Sequence, residues 1–341
     1  MQALVTGATG LLGRHLVEAL LDRGDSVRAL VLPAENTRQL EELGVQVYRG
    51  DVCDRESLEA PTNGVDTLFH LAALQGQWVP MKEYAEVNVQ GTDNVCRAVL
   101  ASGIRRLVHV SSWTIYGINR GWALEESVKP APGDDPYWIT KAQGDLLVQR
   151  WIEEHALPAA IVRPGTIFGV HDRLNFARVA EKIRAGKAIV IGSGRNFLPL
   201  VFVTDVVQGL LLCADAQEAE GEAFNITNDE PLTQRSFLDS VAVDLGVRPP
   251  RIHVPYPLAL TAAAVAEGAA GFTRNGSPVV TRHGVKLYGT ANRHSIQKAR
   301  QRLGYQPKVT VREGVRLSCR WYEQEYGPAW TVNDRSEAAV S

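Results

Sequence analysis

Tyr137 and Lys141 stand four residues apart in Tyr137-Trp138-Ile139-Thr140-Lys141. On a helix that spacing puts both side chains on one face. A free phenol, with a pKa near ~10, is a poor base at neutral pH; a neighbouring ammonium favours the phenolate and lowers that value. The pair is therefore a candidate general acid/base. Tyr and Lys are common on solvated helix faces, so the spacing needs a companion. Ser112 is one. It follows Val110-Ser111 at the end of an apolar, strand-like run, twenty-five residues before Tyr137. A hydroxyl there can hydrogen-bond a carbonyl or alkoxide oxygen.

Such a trio needs elements to hold it and a reactant beside it. Val5-Thr6-Gly7-Ala8-Thr9-Gly10-Leu11-Leu12-Gly13 offers the second. Gln2 to Val5 has strand length, and Leu11 to Leu21 has helical spacing. A glycine-rich turn between them suits a diphosphate: Gly7 permits the tight turn, Gly10 the approach of phosphate, and Gly13 close helix–strand packing. The helix N-terminus adds free N–H groups and the positive end of its dipole. The spacing is GxxGxxG rather than GxGxxG, a moderate signal by itself.

The first half of the chain continues to alternate. Apolar strands are predicted at Val27–Leu32, Val45–Tyr48, Thr67–Leu71, Arg106–Ser111 and Ala159–Arg163. Helices are predicted at Asn36–Leu43, Arg55–Ala60, Lys82–Ala101 and Asp135–His155. Continuously apolar strands between helices imply an α/β fold with a doubly wound parallel sheet, the Rossmann architecture, and ligands at the strands' carboxyl ends. After Arg163 the rhythm breaks. Residues 1–164, joined by 198–230, are expected to form the dinucleotide-binding domain. Residues 165–197 and 231–327 are expected to form a smaller, mostly helical substrate domain, and 328–341 a solvated tail.

Composition sets the outer limits. The 341 residues are 45% hydrophobic and 22% charged, with formal net charge −2, so nothing points to nucleic acid or an acidic membrane as partner. Cys53, Cys96, Cys213 and Cys319 are scattered, without metal or disulfide spacing. A strand beginning almost at Met1 predicts no signal peptide. The alanine-rich run Pro257–Phe272 is too short and too weakly apolar to span a bilayer; a packed helix is the main reading, with a substrate lid or membrane contact as alternatives. The expected location is the cytoplasm.

Taken together, the motifs resemble the extended short-chain dehydrogenase/reductase superfamily over nearly the whole chain. Thr6 to Gly13 matches its cofactor turn. Gly50-Asp51-Val52-Cys53-Asp54 resembles its adenine-contacting acidic motif, and Phe69-His70-Leu71-Ala72-Ala73 the segment lining the cofactor. Asn88 in Asn88-Val89-Gln90-Gly91-Thr92 matches the family's helix asparagine. Ser112, Tyr137 and Lys141 match its catalytic trio, and Arg163-Pro164-Gly165 the segment passing the nicotinamide. Leu303-Gly304-Tyr305-Gln306-Pro307 and Arg312-Glu313-Gly314-Val315 resemble its C-terminal ending. The resemblance implies that Tyr137 is the acid/base, that Ser112 holds the reacting oxygen, and that Lys141 lowers the phenol's pKa and binds the nicotinamide ribose. It implies cofactor contacts from Gly7, Thr9, Gly10, Leu11, Leu12, Gly13, Val31, Arg38, Asp51, Val52, Leu71, Ala72, Ala73, Asn88, Val110, Arg163, Pro164 and Gly165. By analogy, the Lys82–Ala101 and Asp135–His155 helices, through Val87, Val95, Val99, Leu146, Leu147 and Trp151, would pair into a homodimer.

Two finer points follow. The second strand ends Ala29-Leu30-Val31-Leu32-Pro33 with no acid at its tip, which leans the cofactor choice from NAD slightly toward NADP; Arg38, Asn36 or Thr37 would reach a 2′-phosphate. The nucleotide-sugar members of the family carry an arginine in the place of Leu198, before Val203-Thr204-Asp205-Val206, so Leu198 favours an apolar alcohol or ketone, steroid-like or long-chain. Arg195 and Arg293 leave a rearranged phosphate grip open, and with it nucleotide-sugar epimerisation. Gln75, Trp78, Trp113, Thr114 and Leu198 are the expected substrate-facing residues, with Gln77 and Tyr116 beside them.

Overall fold

The computed structural model of the chain describes residues 1–76, 79–118, 122–271 and 280–327, without the side chains of residues 270 and 271. Seven strands make the central sheet: β1 (Gln2–Thr6), β2 (Ser26–Val31), β3 (Gln46–Arg49), β4 (Thr67–His70), β5 (Arg106–Val110), β6 (Ala159–Pro164) and β7 (Ala223–Ile226). All pair in parallel, in the order β3-β2-β1-β4-β5-β6-β7. The order reverses between β1 and β4, so their carboxyl ends frame the crevice where such sheets bind ligands.

Pleating sends alternate side chains to opposite faces. Ala3, Val5, Val108, Val110, Ala160 and Val162 go to one core, which also takes Leu16 and Val206. Leu4, Leu107, Ala159 and Ile161 go to the other, with Val95, Val99 and Val148. Burial on both faces explains why the strands read as unbroken apolar runs. It also corrects part of the dimer expectation. Val95 and Val99 are wholly buried within this chain, whereas Leu146 is exposed.

The helix after β4 is not uniform. Met81–Ala85 leads into a π-turn at Glu86–Gly91 and then into Thr92–Ala101. Asn88 lies in that turn, and such turns are frequent at functional sites. The Pro136–His155 helix starts sharply: Pro136 holds the first helical position, and Asp135 Oδ1 accepts from the Trp138 N–H at 3.2 Å. Beyond β6, Leu200–Phe202 does not enter the central sheet; it pairs with Thr166–Phe168 in a separate two-stranded unit. Two further short pairs tie Ala123–Leu124 to Arg293–His294 and Val190–Ile191 to His253–Val254. Among the described residues no helix is long and apolar enough to cross a membrane, and no group of His, Cys, Asp or Glu could hold a metal ion.

Candidate active site

β1 delivers its chain into the glycine turn at the switch point. Gly7 has φ +71°, where a side chain is strained, and a Cβ there would lie 2.8 Å from Ala72 N. A Cβ on Gly13 would meet the Gly7 carbonyl oxygen at 2.1 Å, so the Leu11–Asp22 helix can sit this close to the turn only without one. Gly10 is exposed and meets little protein, the nearest atom being Gly7 O at 3.4 Å. The helix has no side-chain cap and no acid in its first turn. Open backbone, free N–H groups and a positive dipole end fit a diphosphate. Leu12 is buried, so its contribution there is its backbone N–H; Thr9 and Leu11 stay partly open.

A hydrogen-bond relay braces this turn. The Ala72 N–H donates to Thr6 Oγ1 at 3.2 Å, and Thr6 Oγ1 lies 2.8 Å from His70 Nδ1. His70 Nε2 is 3.2 Å from Thr92 Oγ1, which donates to the Asn88 carbonyl at 2.9 Å. Since Thr92 spends its proton on that carbonyl, His70 carries its proton on Nε2 and accepts from Thr6 at Nδ1. Burial, then the charge of Lys141, pushes His70 down to about 3, so it stays neutral. Its place is structural.

Asn88 anchors the segment after β4. Its Oδ1 accepts from the Leu74 N–H at 2.8 Å, and its Nδ2 donates to Leu74 O and to Thr140 Oγ1, each at 3.1 Å. Leu71, Ala72 and Ala73 are thereby held half-buried along the crevice. On the other side of the glycine turn, Asp51 Oδ1 accepts from the Cys53 N–H at 2.9 Å, and Val52 is buried beside Gly91.

The tip of β2 differs from its sequence reading. Thr6 is in register with Leu30, so Leu32 stands beside the glycine turn. The chain reverses there, and Glu35 Oε2 accepts from the Leu32 N–H at 3.0 Å. An acid is therefore present at the tip, delivered by the turn. Arg49 at the end of β3 secures that turn, donating to Pro33 O at 2.9 Å and to Thr37 Oγ1 at 2.8 Å. Arg38 instead points into solvent and pairs with Glu42 on its own helix. Val31 is buried in the core.

Ser112, Tyr137 and Lys141 converge at the carboxyl end of β5. Lys141 is 5% exposed, and its Nζ donates to Val110 O at 2.6 Å. Burial pushes it down to about 8, with Asp145 acting the other way. The phenol of Tyr137 is pushed up to about 12, first by burial, against a hydrogen bond from Ser112 that lowers it. The expected lowering of that phenol by Lys141 is therefore not what the geometry gives: burial of the ring, joined by the charges of Asp135 and Tyr84, outweighs the Ser112 bond. At that value Tyr137 is protonated at neutral pH, the state in which a phenol can act as a proton donor. Arg163 also departs from expectation. Pleating turns it to the face covered by the Pro136–His155 helix, where it grips Asp145 at 2.9 and 2.8 Å. Of Arg163-Pro164-Gly165, only the backbone and Pro164 remain at the ligand edge.

The expected substrate residues divide. Trp113 is buried, and its Nε1 donates to Thr166 Oγ1 at 3.0 Å. It clusters with Tyr137, Trp138, Leu287 and Tyr288, giving the phenol ring an aromatic and aliphatic wall. Thr114 turns back onto Ser112. Gln75 is exposed at the crevice loop; Trp78 and Gln77 lie outside the described residues. Leu198 is buried beside a cavity of about 30 Å³ that Phe197, Arg293 and His294 also border. Arg293 lies over the Phe197 ring, 5.1 Å from its centre. A larger cavity of about 470 Å³ opens near Glu126, Glu222 and Lys298, away from the trio.

Glu35 and Asp145 are the residues that sequence reasoning missed. Asp145 had a visible signal, since Tyr137, Lys141 and Asp145 repeat at four-residue spacing along one helix. Glu35 had only the Pro33 turn signal after β2.

Comparison with known proteins agrees with this geometry. A family model described as NAD dependent epimerase/dehydratase family matches residues 3–227. The 4-hydroxy-2-methyl-3-oxo-4-farnesyl-3,4-dihydroquinoline-1-oxide ketoreductase of Stigmatella aurantiaca is 32% identical over 318 residues, covering 92% of this chain and 95% of that one. The 3beta-hydroxysteroid-dehydrogenase/decarboxylase isoform 1 of Arabidopsis thaliana is 32% identical over 341 residues, covering 92% and 77%. The crystal structure of gox2253 superposes with TM-score 0.81 at 29% identity, covering 95% and 98%.

Proposed function

The chain belongs to the NAD dependent epimerase/dehydratase family, and from that premise we propose that it moves a hydride to or from the carbonyl carbon of a largely apolar, steroid-like or long-chain keto substrate. It is a dehydrogenase/reductase of the extended short-chain type, as its relatives are named. The observation that carries the substrate class is the wall of Trp113, Trp138, Leu287 and Tyr288 around Tyr137, together with buried Leu198 where a sugar-diphosphate enzyme needs a cation. Two relatives named for a farnesylated keto compound and a hydroxysteroid support the same class.

The glycine turn, the first N–H groups of the Leu11–Asp22 helix and the Leu71–Ala73 edge would hold a nicotinamide dinucleotide, which when bound would supply the redox chemistry. The chain does the rest. Ser112 steadies the carbonyl oxygen. Tyr137, protonated at rest, gives its proton to that oxygen as the carbonyl is reduced, and takes it back in the reverse direction. Lys141, fixed on Val110 O, places positive charge beneath the site.

The lean toward NADP rested on an acid-free tip of β2. Glu35 brings a carboxylate to that tip, and an acid in such a place favours a ribose 2′-hydroxyl over a 2′-phosphate, which supports NAD as the cofactor. Binding should favour NADH over NADPH by roughly tenfold, and Glu35→Gln should narrow the gap; tighter NADPH binding by the wild type overturns this choice. Residues 165–197 and 231–327 serve as the substrate-holding part, and exposed Leu146 with half-buried Leu147 offers a homodimer contact.

The alternative, a nucleotide-sugar epimerase, draws on Arg293 beside Phe197 and Leu198. One panel separates the two readings. Steroid ketones and long-chain β-keto acids are set against UDP- and dTDP-sugars, with cofactor absorbance and product analysis. Turnover of the ketones, lost by ~10²–10⁴-fold in Tyr137→Phe while NADH still binds, is expected. Turnover of a nucleotide sugar alone makes the alternative correct.

A further inference from the structure

A serine hydroxyl has one proton to give and two sites that accept. At Ser112 both accepting sites are taken by Thr114. The Thr114 backbone N–H donates to Ser112 Oγ at 3.2 Å, and the Thr114 hydroxyl donates to the same oxygen at 2.8 Å. Both residues are buried, Ser112 at 6% and Thr114 at 3% exposure, so water does not compete for either bond. The local fold explains the pairing. Ser112 caps the short turn Trp113–Tyr116, which returns Thr114 over the serine. Saturated as an acceptor, Ser112 can make any further hydrogen bond only by donating its own proton.

From this count of donors and acceptors we infer that Thr114 is a positioning residue: it sets the direction of the Ser112–Tyr137 hydrogen bond, so that Ser112 donates to the phenol oxygen and the phenol proton is left for the substrate. The reverse direction is the natural one for an isolated pair, because a phenol is the stronger acid of the two. It would commit the Tyr137 proton to Ser112, and a bound carbonyl would meet no ready acid. With the direction fixed, an arriving carbonyl oxygen can receive the phenol proton while the serine proton turns to it as a second donor. The inference deepens the reading of the site as a carbonyl reductase and rests on it for the kinetic arm of its test.

Thr114→Val replaces the hydroxyl by a methyl of similar shape and leaves the backbone donor in place. Thr114→Ser keeps the hydroxyl and drops the methyl. The full-length protein, labelled with tyrosine carrying 13C at Cζ, reports whether a phenol donates or accepts. The Tyr137 resonance is identified by its loss in Tyr137→Phe. It should move in Thr114→Val and return to its wild-type position in Thr114→Ser. On a ketone that the wild type reduces, kcat should fall by roughly tenfold in Thr114→Val, with KM and NADH affinity within about twofold, and recover in Thr114→Ser. Should the valine variant not fold, Thr114→Ala removes the same hydroxyl without adding bulk. An unmoved Tyr137 resonance, or an equal shift in the serine variant, overturns the inference. Failure of the wild type to reduce any ketone overturns the substrate reading instead, and the resonance still decides on Thr114.

Discussion

Replacing Lys141 by methionine should abolish turnover and yet make the protein more stable. Lys141 is 5% exposed, and burial pushes its ammonium from 10.5 down to about 8. At pH 7 the folded chain thus holds a charge that its surroundings disfavour. The gap between the two values, at about 1.4 kcal/mol per pH unit, corresponds to roughly 3 kcal/mol lost from folding at pH 7. Methionine removes that cost and fills a similar volume, but forfeits the bond to Val110 O, on the order of 1–1.5 kcal/mol. The net gain is roughly 1–2 kcal/mol. Its pH dependence is diagnostic. Between about pH 8 and 10.5 the unfolded lysine keeps a proton that the folded one has lost, so wild-type stability rises with pH across that window and is lost again as pH drops from 10.5 to 8. The advantage of Lys141→Met should be full below pH 8 and gone near pH 10. Urea unfolding at pH 7 and pH 10, beside an activity assay, reads both effects. A variant less stable than wild type at pH 7, or one with the same advantage at both values, refutes the reasoning.

Three further outcomes are expected. Gly13→Ala places a Cβ 2.1 Å from Gly7 O, so the helix must shift; NADH affinity, followed by fluorescence titration, should drop by more than about tenfold. Asp145→Asn breaks a pair in which the Arg163 and Asp145 side chains are 3% and 0% exposed, and denaturant unfolding should show a loss of roughly 3–5 kcal/mol, with a much smaller loss when Arg163→Met is combined with Asp145→Leu. Leu146→Glu, on the exposed face of the Pro136–His155 helix, should convert a homodimer to monomer in light scattering without moving the Tyr137 chemistry; a dimer that survives the change excludes that face.

The sequence by itself carried the alternation of strands and helices, the parallel sheet, the glycine turn and the trio. Each is a local pattern: a run of apolar residues, a glycine spacing, a tyrosine and lysine four apart. Local patterns survive in one dimension because they depend on neighbours a few residues away. The face to which Arg163 turns was not legible in that way. A motif match names a segment, whereas the pleat of β6 decides which side of the sheet a given residue takes, and Arg163 went to Asp145. The same limit hid Glu35, whose carboxylate reaches the tip of β2 only because the chain reverses after Leu32. The charge state of Tyr137 is likewise a tertiary property. Spacing from Lys141 suggested a lowered pKa, but the packing of Trp113, Trp138, Leu287 and Tyr288 around the ring raises it. Burial sums over every element that converges on a group, and those elements come from distant parts of the chain. Residue type and spacing therefore determined which chemistry this chain is equipped for; only the tertiary structure decided which atoms are protonated, which are paired away, and which stay open at the carboxyl edge of the sheet.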